Sequence, residues 1–149
     1  MDYYNPPSVA GWEAYYQEPS FYRIWINSST LQARTRFAQT MTSNNGVGLG
    51  NGGFGNFDYL AWISQLDGAT DPNELIKGIT ELLLPLPLTE GQLTNLKEVL
   101  IPGLPDFEWT VEYGEYLNDP SDQDLAAAVE TKLRNLFRAI FGLAEFQLV

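Results

Sequence analysis

The chain has 149 residues, a hydrophobic content of 44% and a net charge of -11 from 19 acidic and 8 basic side chains. That length and composition suit one folded domain with a real core, while the acidity excludes the clustered Lys and Arg that nucleic acid or an anionic bilayer requires. Cys and His are both absent. Thiolate metal sites, thiol nucleophiles and imidazole general bases are therefore excluded, and any chemistry would fall to carboxylates, Tyr, Lys or Ser/Thr. No cofactor is expected.

Residues 1–28 read as an irregular, extended arm. Tyr3, Tyr4, Trp12, Tyr15, Tyr16, Phe21, Tyr22 and Trp25 put eight aromatic rings in its first 25 positions. Pro6 and Pro7 fix two φ angles and remove two donors, Gly11 permits a turn before Trp12, and Pro19 stops a helix begun at Glu13. So many rings in one place predict an arm that covers apolar helix faces, with Trp12 and Trp25 as buried anchors. The competing reading is a ligand platform of Trp12, Tyr15, Tyr16, Tyr22 and Trp25 that stacks on sugar rings. The opening residues contain no basic stretch followed by an apolar one, so no signal peptide is read in this chain.

A helix is predicted from Leu31 to Met41, capped by Ser28, Ser29 or Thr30, with Ala33, Phe37 and Met41 as an apolar stripe. Asn27-Ser28-Ser29 matches a glycosylation sequon, but at a helix start it is read as a cap and turn. Residues 43–56 hold six Gly and four Asn and read as a flexible loop. Shortening between Asn44 and Gly55 is expected to cost little stability. The G-x-G-x-x-G at Gly48, Gly50 and Gly53 lacks the preceding strand that a dinucleotide site needs.

A short apolar helix is expected within Phe57–Leu66, with Asp58 near its start and Gly68 beyond its end. Asp71-Pro72-Asn73-Glu74 is a strong helix start, and Leu75, Ile76, Ile79, Leu82 and Leu83 follow at helical spacing. Pro85 and Pro87 make an extended link. Thr89 with Gln92 forms a second capping box, ahead of Leu93, Leu96 and Leu100. From Asp106 to Asn118, the spacing of Trp109, Tyr113, Tyr116 and Leu117 favours helix over strand. The last helix starts at Ser121 or Asp122 and buries Leu125, Val129, Leu133, Leu136, Phe137 and Ile140. The expected fold is all-α: an irregular helical bundle with an extended aromatic N-terminal arm, in a single helical domain over residues 1–149.

Pro6, Pro7, Val9, Gly11 and Trp12 match a Pro-Pro-x-Val-x-Gly-Trp motif. Trp25, Ile26, Asn27, Thr30 and Leu31 match Trp-[Ile/Leu]-Asn-x-x-Thr-Leu, followed by Arg34, Phe37 and Ala38. On these motifs, and on a closing helix through Leu136–Phe141 and Glu145–Gln147, the chain resembles a bacterial family of exported proteins catalogued as domain of unknown function 1800. The connector between Trp12 and Trp25 is longer and more aromatic than in many members, and the Gly/Asn-rich loop looks like an insertion. Members are much longer, so the resemblance implies a C-terminal fragment whose partner is the N-terminal portion of the same protein. It also implies a periplasmic or extracellular location for the full-length protein, and no known reaction. The function expected is a non-catalytic structural or interaction domain that meets another exported protein. The alternatives are a carbohydrate-binding surface on the arm, with a polysaccharide partner, and part of an active site completed by the missing region.

Two side-chain groups invite chemistry and receive bland readings. Glu108, Glu112 and Glu115 share a helical face and could pair for glycoside hydrolysis, but a solvated face is the simpler reading. Asn118, Asp119, Asp122 and Asp124 have calcium-loop composition without the Gly and terminal Glu of that loop, so Ser121 and Asp122 are read as helix caps.

Overall fold

The computed structural model describes residues 8–9, 12–13, 28–43, 46–48 and 53–147. It divides into two compact units, Met1–Arg36 and Phe37–Val149. In the first unit, β1 (Ser8–Val9) pairs antiparallel with β2 (Trp12–Glu13), setting Val9 opposite Trp12. Tyr15, Tyr16, Tyr22 and Trp25 lie outside the described residues. Helix α1 (Ser28–Met41) starts in this unit and ends in the next, and takes Ser28, Ser29 and Thr30 into its first turn.

The second unit is built from helices, as its sequence periodicity requires. Each start follows from a local side-chain acceptor. Asp58 receives the Ala61 N–H at the head of α2 (Tyr59–Ile63). Asp71 receives those of Asn73 (2.7 Å) and Glu74 (3.3 Å), with Pro72 as the first residue of α3 (Pro72–Leu83). Thr89 and Gln92 exchange hydrogen bonds in a capping box at α4 (Glu90–Leu100). Asp122 receives the N–H groups of Asp124 and Leu125 at the head of α6 (Gln123–Phe141). Such caps are worth about 1 kcal/mol each. Helix α5 (Phe107–Asn118) follows Asp106, whose side chain makes no capping bond. A last turn, α7 (Ala144–Gln147), ends the described chain. Beyond the helices, the described residues hold only two-residue strand pairs, so the fold is all-α. No helix among the described residues is long and apolar enough to cross a membrane.

Helix α6 is the hub. It packs against α2, α4 and α5, while α3 packs against α4. Val129, Leu133, Leu136 and Ile140 of α6 are fully buried, with Ile63, Leu75, Ile79, Leu100 and Trp109 in the same core. Leu125, expected on the same face, is half-buried. The Trp109 indole N–H donates to the Ala69 carbonyl at 2.9 Å, and its ring stacks on Tyr113 at 5.4 Å and 8°. This ties α5 to the turn ahead of α3. Leu84 is extended (φ -116°, ψ 140°) and buried, so the chain leaves α3 into Pro85 without a further helical turn.

Two expectations are corrected. The stripe on α1 is not a core face: Ala38 is buried, but Ala33 is exposed, Phe37 is 64% exposed and Met41 38%. Periodicity marks an apolar side of a helix, and only packing decides whether that side is covered. The Gly/Asn-rich segment is also not uniformly loose. β3 (Val47–Gly48) pairs antiparallel with β4 (Phe54–Gly55), Val47 facing Gly55. Gly46, just before it, is buried at φ 65°, and a Cβ there would sit 1.9 Å from Asn56 Oδ1 and 2.3 Å from the Gly55 carbonyl oxygen. Shortening that removes Gly46 or the paired residues therefore destroys real contacts. Gly46→Ala combines a left-handed backbone with a clash, and urea denaturation should show a loss of about 2–3 kcal/mol.

Candidate functional site

The end of α1 is fixed to α6 by one arginine. Arg138 donates from Nε to Thr42 Oγ1 and from Nη2 to the Thr42 carbonyl, both at 3.1 Å, and Thr42 is buried. Met41 is thereby held beside the aromatic residues of α2 and α6. Met41, Phe57, Tyr59, Trp62, Leu83, Phe137 and Phe141 line a groove of about 150 Å³. Phe137 is its floor, 2% exposed, and lies 5.1 Å from Tyr59, 5.4 Å from Trp62, 5.8 Å from Phe57 and 5.9 Å from Phe141 between ring centroids. The Phe137 contacts are tilted or edge-on, the geometry ring quadrupoles favour. Phe57 and Met41 form a partly exposed rim.

The groove is uncharged. Its one polar lining group of note is the Tyr59 phenol, whose pKa burial pushes up and nearby Arg134 partly restores, so it stays protonated at neutral pH. The Arg134 guanidinium stands 5.5 Å from the Tyr59 ring centroid and pairs with Glu130. Pockets for drug-sized ligands run to about 300–1,000 Å³. A space of this size suits a single benzene-like ring or one large aliphatic side chain.

A polar cluster stands apart from the groove. Asp106 accepts from Asn73 Nδ2 at 2.8 Å and from Lys97 Nζ at 3.2 Å, and Lys97 also donates to Asn73 Oδ1 at 3.1 Å. The Asn73 hydrogen bond first, and the Lys97 ammonium second, hold the Asp106 carboxyl below its usual range. The unfolded chain then binds more protons than the folded one under acid conditions. The carboxylate's stabilisation is complete above its ordinary pKa of 3.8 and is lost as pH falls through the lower folded value. Asp106→Asn should flatten the acid limb of a stability–pH curve below about pH 4 and leave the slope near neutrality unchanged. The cluster joins α3, α4 and the start of α5, with its polar groups paired to one another. It is a structural clasp.

A family model described as "Protein of unknown function (DUF1800)" matches residues 1–148. The chain belongs to this family. No curated protein and no solved structure matches it. The family description assigns no activity to DUF1800, so the residues must speak for themselves.

In this DUF1800 chain three of the carboxylates picked out by sequence have structural tasks. Glu112 pairs with Lys132 across α5 and α6. Asp119 accepts the Ser121 hydroxyl at 2.6 Å and its N–H at 3.2 Å, and Asp122 caps α6. No group of three or more potential metal ligands comes together among the described residues. Of the arm residues, Trp12 sits in β2 by its backbone pairing, and Tyr15, Tyr16, Tyr22 and Trp25 fall outside the described residues. The groove was missed by sequence reasoning. Its signal was the aromatic run Phe57, Tyr59, Trp62, but the rings that complete it, Phe137 and Phe141, come more than seventy positions later.

Proposed function

We infer that this chain is a non-catalytic interaction domain of an exported bacterial protein, and that the aromatic groove seats one apolar side chain of its partner. The observation that carries this reading is the groove itself: seven apolar or aromatic side chains around about 150 Å³, open at Met41 and Phe57. Apart from the buried, protonated Tyr59 phenol, its lining has no group to move a proton or attack a carbonyl. It also lacks the amide and carboxylate groups that a sugar's hydroxyls demand beside a stacking ring. Two further points support it. Phe37, one turn before Met41 on α1, is also exposed, and three of the carboxylates singled out by sequence, Glu112, Asp119 and Asp122, serve an ion pair, a turn and a helix cap. Export, a bacterial source and a longer parent protein rest on the family resemblance. The first partner proposed is the N-terminal portion of that parent.

Photo-methionine at Met41, introduced into the protein in its native host, tests the reading. Irradiation should yield a defined cross-linked product, within the parent chain or to one other exported protein, and Phe57→Asp should abolish it. No product, together with a glycan-array signal that Trp12→Ala and Trp25→Ala remove, would transfer the function to a carbohydrate surface on the arm.

A further inference from the structure

Helix α5 has a second face. Trp109 and Tyr113 point into the core. On the opposite side Phe107 and Val111, one turn apart, are 58% and 52% exposed, and Leu104 just ahead of them is 47% exposed. Gly114 continues the row one turn on. A Cβ built there meets nothing within 4 Å. A glycine inside a helix weakens it, and no neighbour among the described residues requires one, whereas a bare backbone lets another helix approach closely. Along one edge of the row run Glu108 and Glu115, two turns apart, and neither has an ion-pair partner among the described residues. The helix carries no Lys or Arg at all.

We propose that this face docks an amphipathic helix of a protein partner, which lays its apolar stripe along Phe107, Val111 and Gly114 and sets Lys or Arg side chains against Glu108 and Glu115. The occupant follows from charge. A second copy of this chain would bring two rows of glutamates together on molecules that each carry -11, and an anionic bilayer would be repelled in the same way. A basic helix gains on both counts, since opposite charge at the rim speeds encounter and selects the partner. The face shares no residue with the aromatic groove, so it stands or fails without reference to it.

The probe is a labelled helical peptide of roughly 18 residues, long enough to hold helix, with a leucine stripe flanked by lysines. A matched peptide carries glutamate in place of every lysine. Fluorescence anisotropy should show binding of the cationic peptide alone, weakened by salt. Val111→Glu should weaken it at least about tenfold, and Glu108→Lys with Glu115→Lys should remove its salt dependence. Leu86→Glu, at an exposed leucine of the α3–α4 link, should leave it unchanged. Leu86, Val111 and Glu115 are exposed and Glu108 is half-buried, and unchanged circular dichroism will show that the variants fold. Equal binding of both peptides, or equal effects of Val111→Glu and Leu86→Glu, would overturn the proposal. So would a concentration-dependent dimer in sedimentation equilibrium that Val111→Glu dissolves, which would give the face to a second copy.

Discussion

Replacing Trp109 with alanine should lower stability by about 3–5 kcal/mol, as a denaturant titration would measure. The ring is fully buried, stacks on Tyr113 and donates its only hydrogen bond to Ala69. Its removal leaves a large cavity between α5 and the turn before α3, together with a carbonyl that has lost its donor. Trp109→Phe divides the two contributions. A phenyl ring keeps most of the stack but cannot donate, so about 1–3 kcal/mol should remain as the cost of the unsatisfied Ala69 oxygen. A cost for Trp109→Ala no larger than an exposed substitution would mean that α5 is not anchored in this way.

The second large effect belongs to Phe137. Phe137→Ala should also cost about 3–5 kcal/mol, because four rings pack on it and it is 2% exposed. It should do something Trp109→Ala does not. The groove deepens, Trp62 loses its edge-on neighbour, and the Trp62 fluorescence should shift towards that of a solvated indole. Phe57→Ala, at the rim and 42% exposed, should cost only about 1 kcal/mol while still impairing the groove. A destabilised core with an unaltered Trp62 environment would contradict the placement of Phe137 as the groove's floor.

Much of this architecture could be read from short stretches of sequence. Asp71-Pro72-Asn73-Glu74, Thr89 to Gln92 and Asp122 each satisfy helix N–H groups within three residues of themselves, and the structure places helices at all three. The Leu and Ile spacings of α3, α4 and α6 likewise predicted most of the buried positions, but Leu82, at the same helical spacing in α3, is 65% exposed. Whatever depends on distant partners was not legible. Asp106 sits at a helix start and looks like a cap, yet its carboxylate is drawn to Asn73, 33 positions earlier, and to Lys97. Phe37 carries the right spacing for a core face, yet nothing in its own helix tells whether another element will cover it. The groove unites residues from α1, α2, α3 and α6, and no pattern within any one of them announces the others.

The position of the hub helix along the chain bears on how the protein is made. Helices α2, α4 and α5 all dock on α6, which is translated after every one of them. A nascent chain that has emerged as far as Asn118 carries Leu96, Leu100, Trp109 and Tyr113 with no hub to receive them. Its helices can flicker into being but cannot consolidate, because the contacts that reward them span tens of residues. The fold is therefore expected to consolidate only once Gln123–Phe141 is available to receive them. Throughout that delay the exposed Leu, Trp and Tyr side chains make the unfinished chain a ready client for chaperones, and a stalled or prematurely terminated copy a ready target for proteolysis.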